Sequence, residues 1–204
     1  MTKGVSRRER ERQGHRREIL AAAVKLFSRK GFEKTTMADV AAEAEFAVGT
    51  LYKFFKDKQE LYRTIIQELA ADMHSRLMEA LGQGGAEVEQ IGRYIDTKMA
   101  LLVKYAPVGR LYVSQTTGAT WSPVAALEDE LKDLFRQMLN TEAAVFRRGI
   151  RKKLFVNRDP YVLALTLEGL TPAFIAPLTE DPEAFTAEEM SAAVKGVFFD
   201  GVCL

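Results

Sequence analysis

A chain of 204 residues with 47% hydrophobic and 28% charged residues is globular and long enough for one large or two small domains. No apolar run approaches the roughly 20 residues needed to span a bilayer, and no apolar segment follows the basic N-terminus. Membrane insertion and secretion are therefore not expected, and the expected compartment is the cytoplasm. The net charge of +1 conceals an uneven distribution: residues 1–58 hold 14 Lys/Arg against 8 Asp/Glu, and the remainder holds 15 against 20. A basic N-terminal quarter on an acidic remainder fits a DNA-binding head on a body that avoids DNA.

Residues 1–15 are polar, and the stretch from Arg7 to Arg17 is dense in arginine, including Arg16 and Arg17. It reads as an arm that orders against DNA phosphates. Ile19, Ala23, Leu26 and Phe27 then recur at helical spacing, and Gly31 caps that helix. A second helix opens at Thr36, where Asp39 three residues on completes a capping box, with Val40, Ala41 and Ala44 as a narrow apolar face. A third runs from about Val48 to Phe55. It buries Leu51, Phe54 and Phe55 and leaves Gly49, Thr50, Tyr52 and Lys53 outside. A short helix, a tight turn and a second short helix with small, hydroxyl and basic outer residues form a helix-turn-helix pattern. Low bulk at the start of the second helix suits entry into a major groove.

The run GTLYKFFKDKQEL, preceded by TTMADVAAEA and ILAAAVKLFSRKGF, resembles the DNA-binding domain of TetR-type bacterial transcriptional regulators over about residues 16–65. The turn departs from that family's usual Gly, aliphatic, Ser and polar residue, with Glu45, Phe46, Ala47 and Val48 in their place. Glu45 then has to adopt a conformation that glycine takes more easily, at a cost of about 1 kcal/mol if φ is positive. Ala47 cannot cap the third helix, and Val48 offers only an apolar contact, for which a thymine methyl is the natural partner. The candidate DNA-facing residues are Arg16, Arg17, Thr36, Val48, Gly49, Thr50, Tyr52, Lys53 and Lys58, the last at the start of a fourth helix.

That fourth helix, 58 to about 80, is amphipathic through Leu61, Ile65, Leu69, Met73, Leu77 and Leu81, and leads out of the head. A helix over about 86–105 follows, then a break at Pro107 and Gly109, a short helix over about 108–117 and a second break at Gly118. Ser122 and Pro123 open a long helix to about Leu154, and Asp159 with Pro160 opens another to about Ala176, bent or ended by Pro172. Thr186 with Glu189 is a second capping box, starting a last helix to about Phe199. The expected fold is all-α, about nine helices: a DNA-binding head of residues 1–58 with three helices and a basic arm, joined to an effector-binding and dimerisation body of 59–204.

His15 and His74 have no carboxylate or cysteine at ligand spacing, Cys203 is the single cysteine, and no phosphate loop or nucleophile elbow is present. No metal, no cofactor and no enzymatic activity are expected. In the body Met73, Leu77, Tyr94, Met99, Tyr112, Trp121, Phe135, Met138 and Phe174 are candidates for lining an apolar pocket, though each is also suited to plain core. The last two long helices carry Tyr161, Ala164, Leu165, Gly169, Ala193, Val197 and Phe198, a mixture of bulky and small groups suited to a four-helix dimer interface or to the chain's own core. The resemblance implies a homodimeric, ligand-responsive repressor of a palindromic operator, released by a small, largely apolar or aromatic effector. The alternative is a small-molecule-binding or enzymatic helical bundle whose basic head makes protein contacts only.

Overall fold

The computed structural model describes residues 6–116 and 129–204, with backbone alone at 110–116, Ala176 and Thr179. The described residues form nine α-helices: α1 Arg7–Lys30, α2 Met37–Glu43, α3 Val48–Leu51, α4 Lys58–Gly82, α5 Glu87–Thr116, α6 Asp129–Arg151, α7 Pro160–Leu170, α8 Ile175–Glu180 and α9 Ala187–Val202. The fold is all-helical, and among the described residues no helix is long and apolar enough to cross a membrane. The chain divides into two compact units, one of residues 1–68 with 110–115 and the other of 69–109 with 116–204.

The first unit is built on α1. Its residues Ile19, Leu20, Ala23, Leu26 and Phe27 are buried, as are Val40 and Ala41 of α2 and Leu51 of α3. Phe32, Phe55, Leu61 and Ile65 are also buried there. Each large apolar side chain so buried contributes about 1.5–3 kcal/mol relative to exposure. The basic stretch from Arg7 is not an arm awaiting DNA; it is the first three turns of α1. Ser6 accepts from the Glu9 amide as N-cap, and Arg7 pairs with Glu11 one turn on.

α2 ends in a Schellman motif. The Phe46 amide donates to Ala41 O at 2.9 Å and the Glu45 amide to Ala42 O at 3.2 Å, with Glu45 at φ 60°. α3 is one turn long and gives way to hydrogen-bonded turns through Phe54, where a regular helix to Phe55 was expected.

In the second unit Leu77, Leu81, Ile91, Tyr94, Ile95, Met99, Met138, Phe146, Leu167, Val194 and Phe198 belong to one buried cluster. α5 does not break at Pro107. It runs on to Thr116, and the lost hydrogen bond is tolerated where Ala106 and Val108 on either side are both buried. The second break expected at Gly118 and the Ser122–Pro123 helix start lie outside the described residues. α6 stops at Arg151, three residues early, in a second Schellman motif: Leu154 N donates to Gly149 O and Lys153 N to Ile150 O, with Lys153 at φ 61°. The turn sends Phe155 into the core, where it forms an antiparallel bridge with Cys203. Asp159 caps α7, Pro172 falls in a 3-10 turn over Thr171–Phe174 that ends it, and the Thr186–Glu189 capping box opens α9.

Candidate nucleic-acid interface and the interior of the body

The head presents α2 and α3 as a braced pair. Thr36 Oγ accepts from the Asp39 amide at 3.1 Å, while Asp39 Oδ2 accepts from the Thr36 amide at 2.9 Å and its hydroxyl at 2.8 Å. These bonds, the backbone one first, hold the Asp39 carboxyl below its usual range. The Thr36 hydroxyl proton is thereby committed to Asp39. Glu43 at the other end of α2 is held by Lys25 of α1, which lowers its pKa, with Arg29 at 3.9 Å. α2 is thus tied to α1 at both ends, since Lys30 also reaches Asp39.

On α3 Leu51 faces the core, and the opposite side is open. Val48 is 40% and Tyr52 53% exposed, Lys53 and Gly49 are exposed, and Thr50 is half-buried. A β-carbon at Gly49 would meet nothing within 4 Å. This face is therefore shallow at its start, with a hydroxyl, a phenol and an ammonium behind it, as groove entry requires.

Two other candidates are placed differently. Lys58, the first residue of α4, donates to Phe32 O at 2.8 Å and Glu33 O at 3.3 Å and sits 4.3 Å from the Phe32 ring centre. The N-terminus of α4 is filled by its own carboxylates: Asp57 accepts from the Glu60 amide at 2.7 Å, and Glu60 from the Lys56 amide at 2.6 Å. Arg16 pairs with Glu68 and lies over the Phe55 ring, whereas Arg17 is exposed and donates only to Gln13 O. His15 is exposed, with its ring edge-on to that of Phe46 at 5.0 Å.

Seven of the body's pocket candidates lie in or against one buried apolar cluster. Leu77, Tyr94, Met99 and Met138 are buried members of the core, and Met73, Phe135 and Phe174 are half-buried against it. Tyr112 and Trp121 lie outside the described side chains. An open groove of about 380 Å³ lies along α4 and α5, with a mixed lining of Arg76, Glu79, Gln83, Thr97 and Lys104 beside Ala80, Ala100 and Leu101 that includes none of those candidates.

Inside the core is a polar group that the hydrophobic pattern concealed. Lys98 of α5 pairs with Glu168 of α7, and both are buried. The Tyr94 hydroxyl donates to the same Glu168 oxygen at 2.7 Å and lies 3.1 Å from Met138 Sδ. Burial and the Glu168 charge push the Tyr94 phenol well above its usual range, so it stays a neutral donor. Glu142 of α6 is fully buried, and neither of its oxygens has a hydrogen-bond partner among the described residues. Burial first, and the Glu168 charge second, push its carboxyl up to about 8. A signal was present in the sequence: Met138, Glu142 and Phe146 share one face of α6 at four-residue spacing, and Glu168 is the lone charge of α7.

The family described as bacterial regulatory proteins, tetR family, matches residues 19–65. The chain is 39% identical over 79 residues to the uncharacterized HTH-type transcriptional regulator YfiR of Bacillus subtilis, a match over 39% of this chain and 38% of that protein. It is 28% identical over 146 residues to the HTH-type transcriptional repressor KstR2 of Rhodococcus jostii, covering 68% of this chain and 64% of the relative. Among solved structures, a putative transcriptional regulator from Saccharomonospora viridis in complex with choline superposes with a TM-score of 0.74 at 18% identity. That superposition covers 94% of this chain and 99% of the other, and it establishes a shared fold.

Proposed function

We propose that this chain, whose residues 19–65 match the tetR family of bacterial regulatory proteins, is a transcriptional regulator of that type and acts in the cytoplasm as a homodimeric, ligand-responsive repressor of a palindromic operator. The observation that carries the reading is the open face of α3 and of the turn after it, with Val48, Gly49 and Thr50 on the helix and Tyr52 and Lys53 in the turn, beside α2 and the Glu45 turn. Residues 1–58 serve as the DNA-binding head and 59–204 as the effector-binding and dimerisation body. Two copies of that face, one helical turn of DNA apart, read successive major grooves. Tyr52, Lys53 and Arg17 supply donors to phosphate, and Val48 meets a base edge.

Dimerisation rests on α7 and α9. Tyr161, Val162 and Leu165 of α7 and Val197 of α9 are exposed, beside the exposed Gly169, Ala193 and Gly196. Ala164 and Phe198, expected in the same interface, are buried in the chain's own core and take no part. An apolar face of this kind suits a self-complementary two-fold contact. A relative named as a repressor and a neighbour of the same fold solved with choline support the regulatory sign and the response to a small molecule. The effector acts by binding one arrangement of the two heads more tightly than the other.

The test is selection of the operator from random DNA, followed by binding and sizing of variants. Tyr52→Ala should abolish specific binding while the protein stays folded, and Val197→Glu should give a monomer with weakened operator affinity. Sequence-specific binding that survives Tyr52→Ala, or a wild-type chain that sizes as a monomer, would refute the reading.

A further inference from the structure

We propose that the buried group of Tyr94, Lys98, Glu142 and Glu168 is the recognition site for an organic monocation, so that the effector carries one ammonium-type nitrogen set against Glu142. The inference rests on the reading of the body as effector-binding and goes beyond it by fixing the charge of the ligand.

The argument is one of charge and hydrogen-bond capacity. Lys98 and Glu168 neutralise each other, and the Tyr94 hydroxyl gives its single proton to Glu168. Glu142 is left as one carboxyl too many, fully buried, with both oxygens unpartnered among the described residues. An ionised carboxylate in that position costs several kcal/mol unless a cation joins it. The site therefore has two charge-balanced states: Glu142 protonated, or Glu142 ionised with a guest cation. Binding exchanges one proton for one positive charge.

The surroundings select an organic guest. Met138 and Phe146 lie one turn either side of Glu142 on the same face of α6, and Tyr94 of α5 belongs to the same buried cluster. Aromatic faces and a thioether suit alkylammonium groups. A divalent metal is disfavoured because Lys98 already occupies Glu168, and no group of three or more metal-type side chains exists among the described residues. The groups facing Glu142 from the packed elements are Tyr94 and Lys98 of α5 and Glu168 of α7, and of these Lys98 and Glu168 cancel. With the free Glu142 carboxyl at about 8, a cation that requires it ionised should bind about tenfold more tightly at about pH 9 than at about pH 7.

The experiment titrates full-length protein by calorimetry with tetramethylammonium, benzyltrimethylammonium and hexyltrimethylammonium, whose charge does not change with pH. Benzyl alcohol and hexanoate serve as neutral and anionic comparators, and operator release is followed in parallel. At least one cation should bind with the expected rise in affinity. Glu142→Gln, close in shape to the protonated acid, should fold, lose at least tenfold in cation affinity at about pH 9 and lose the pH dependence. Glu142→Asp, which keeps the charge, should retain both. Failure of all three cations to bind wild type, or equal binding by Glu142→Gln, would overturn the proposal. Cation binding at Glu142 that leaves operator affinity unchanged would instead sustain the site and refute the regulatory reading on which it was built.

Discussion

Glu45 occupies the C′ position of the Schellman motif between α2 and α3, at φ 60°. A side chain in that region of backbone space costs roughly 1–2 kcal/mol, because its β-carbon crowds the following carbonyl. Glu45→Gly removes that strain. It also adds roughly 0.4–1 kcal/mol of backbone entropy to the unfolded chain, which opposes the gain. Glu45 is exposed and none of the hydrogen bonds or ion pairs described above uses its side chain, so no contact energy enters the difference. The net expectation is a stabilisation of roughly 0.5–1 kcal/mol, or roughly 1–4 °C in melting temperature for a chain of this size. Two measurements check it. Urea unfolding should move to a higher midpoint with unchanged slope. Hydrogen exchange at the Phe46 amide, which closes the motif on Ala41 O, should slow. A lower midpoint with faster exchange at Phe46 would refute the reasoning, since it would mean that the glutamate holds the turn instead of straining it.

Other variants separate binding from scaffolding. Lys53→Ala should lower the slope of log affinity against log salt by about one without changing the melting temperature. Lys58→Ala should melt earlier, by about 1–2 kcal/mol in stability, because it strips two carbonyls of their ammonium partner; calorimetry of the free protein reads this. Gly149→Ala should cost about 1–3 kcal/mol in urea unfolding, since its β-carbon would come 2.3 Å from the buried Phe155 ring. Glu142 binds its proton more tightly folded than unfolded, so its effect is to make stability fall as pH rises from the ordinary glutamate range through about 8. Urea unfolding of Glu142→Gln should therefore show an advantage over wild type that is absent near pH 4 and largest above pH 8.

What could be read in the sequence was local and chemical. The Thr36–Asp39 and Thr186–Glu189 boxes, the proline at the start of α7 and the strained Glu45 all follow from side chains acting on their own backbone within four residues. The same reasoning, applied to Ser6 and Glu9, would have found the true start of α1, where arginine density alone suggested an arm. Pro107 misled because a proline's cost is local and fixed, whereas what holds α5 together is burial on both sides of it. The exposed side of α3 was legible because exposure on a one-turn helix is set by which residues its single apolar anchor, Leu51, leaves behind. The interior was not. Tyr94, Met99 and Met138 are apolar whether they pack or line a site, and the informative residues were the acids set on apolar faces, Glu142 and Glu168.

The small residues on the outer side of α7 and α9 have a consequence for mispairing. Gly169 and Gly196 would each accept a β-carbon without meeting any atom of their own chain, so their smallness serves nothing inside the protomer. In the dimer proposed above it would form a notch that lets helix backbones approach more closely than larger side chains allow. Such a notch sorts partners by shape: a second copy brings glycine to the crossing, whereas another helical protein with leucine or isoleucine at that point is held off. Steric exclusion at that notch would then keep subunits of similar regulators apart, with no charge pattern needed to enforce it.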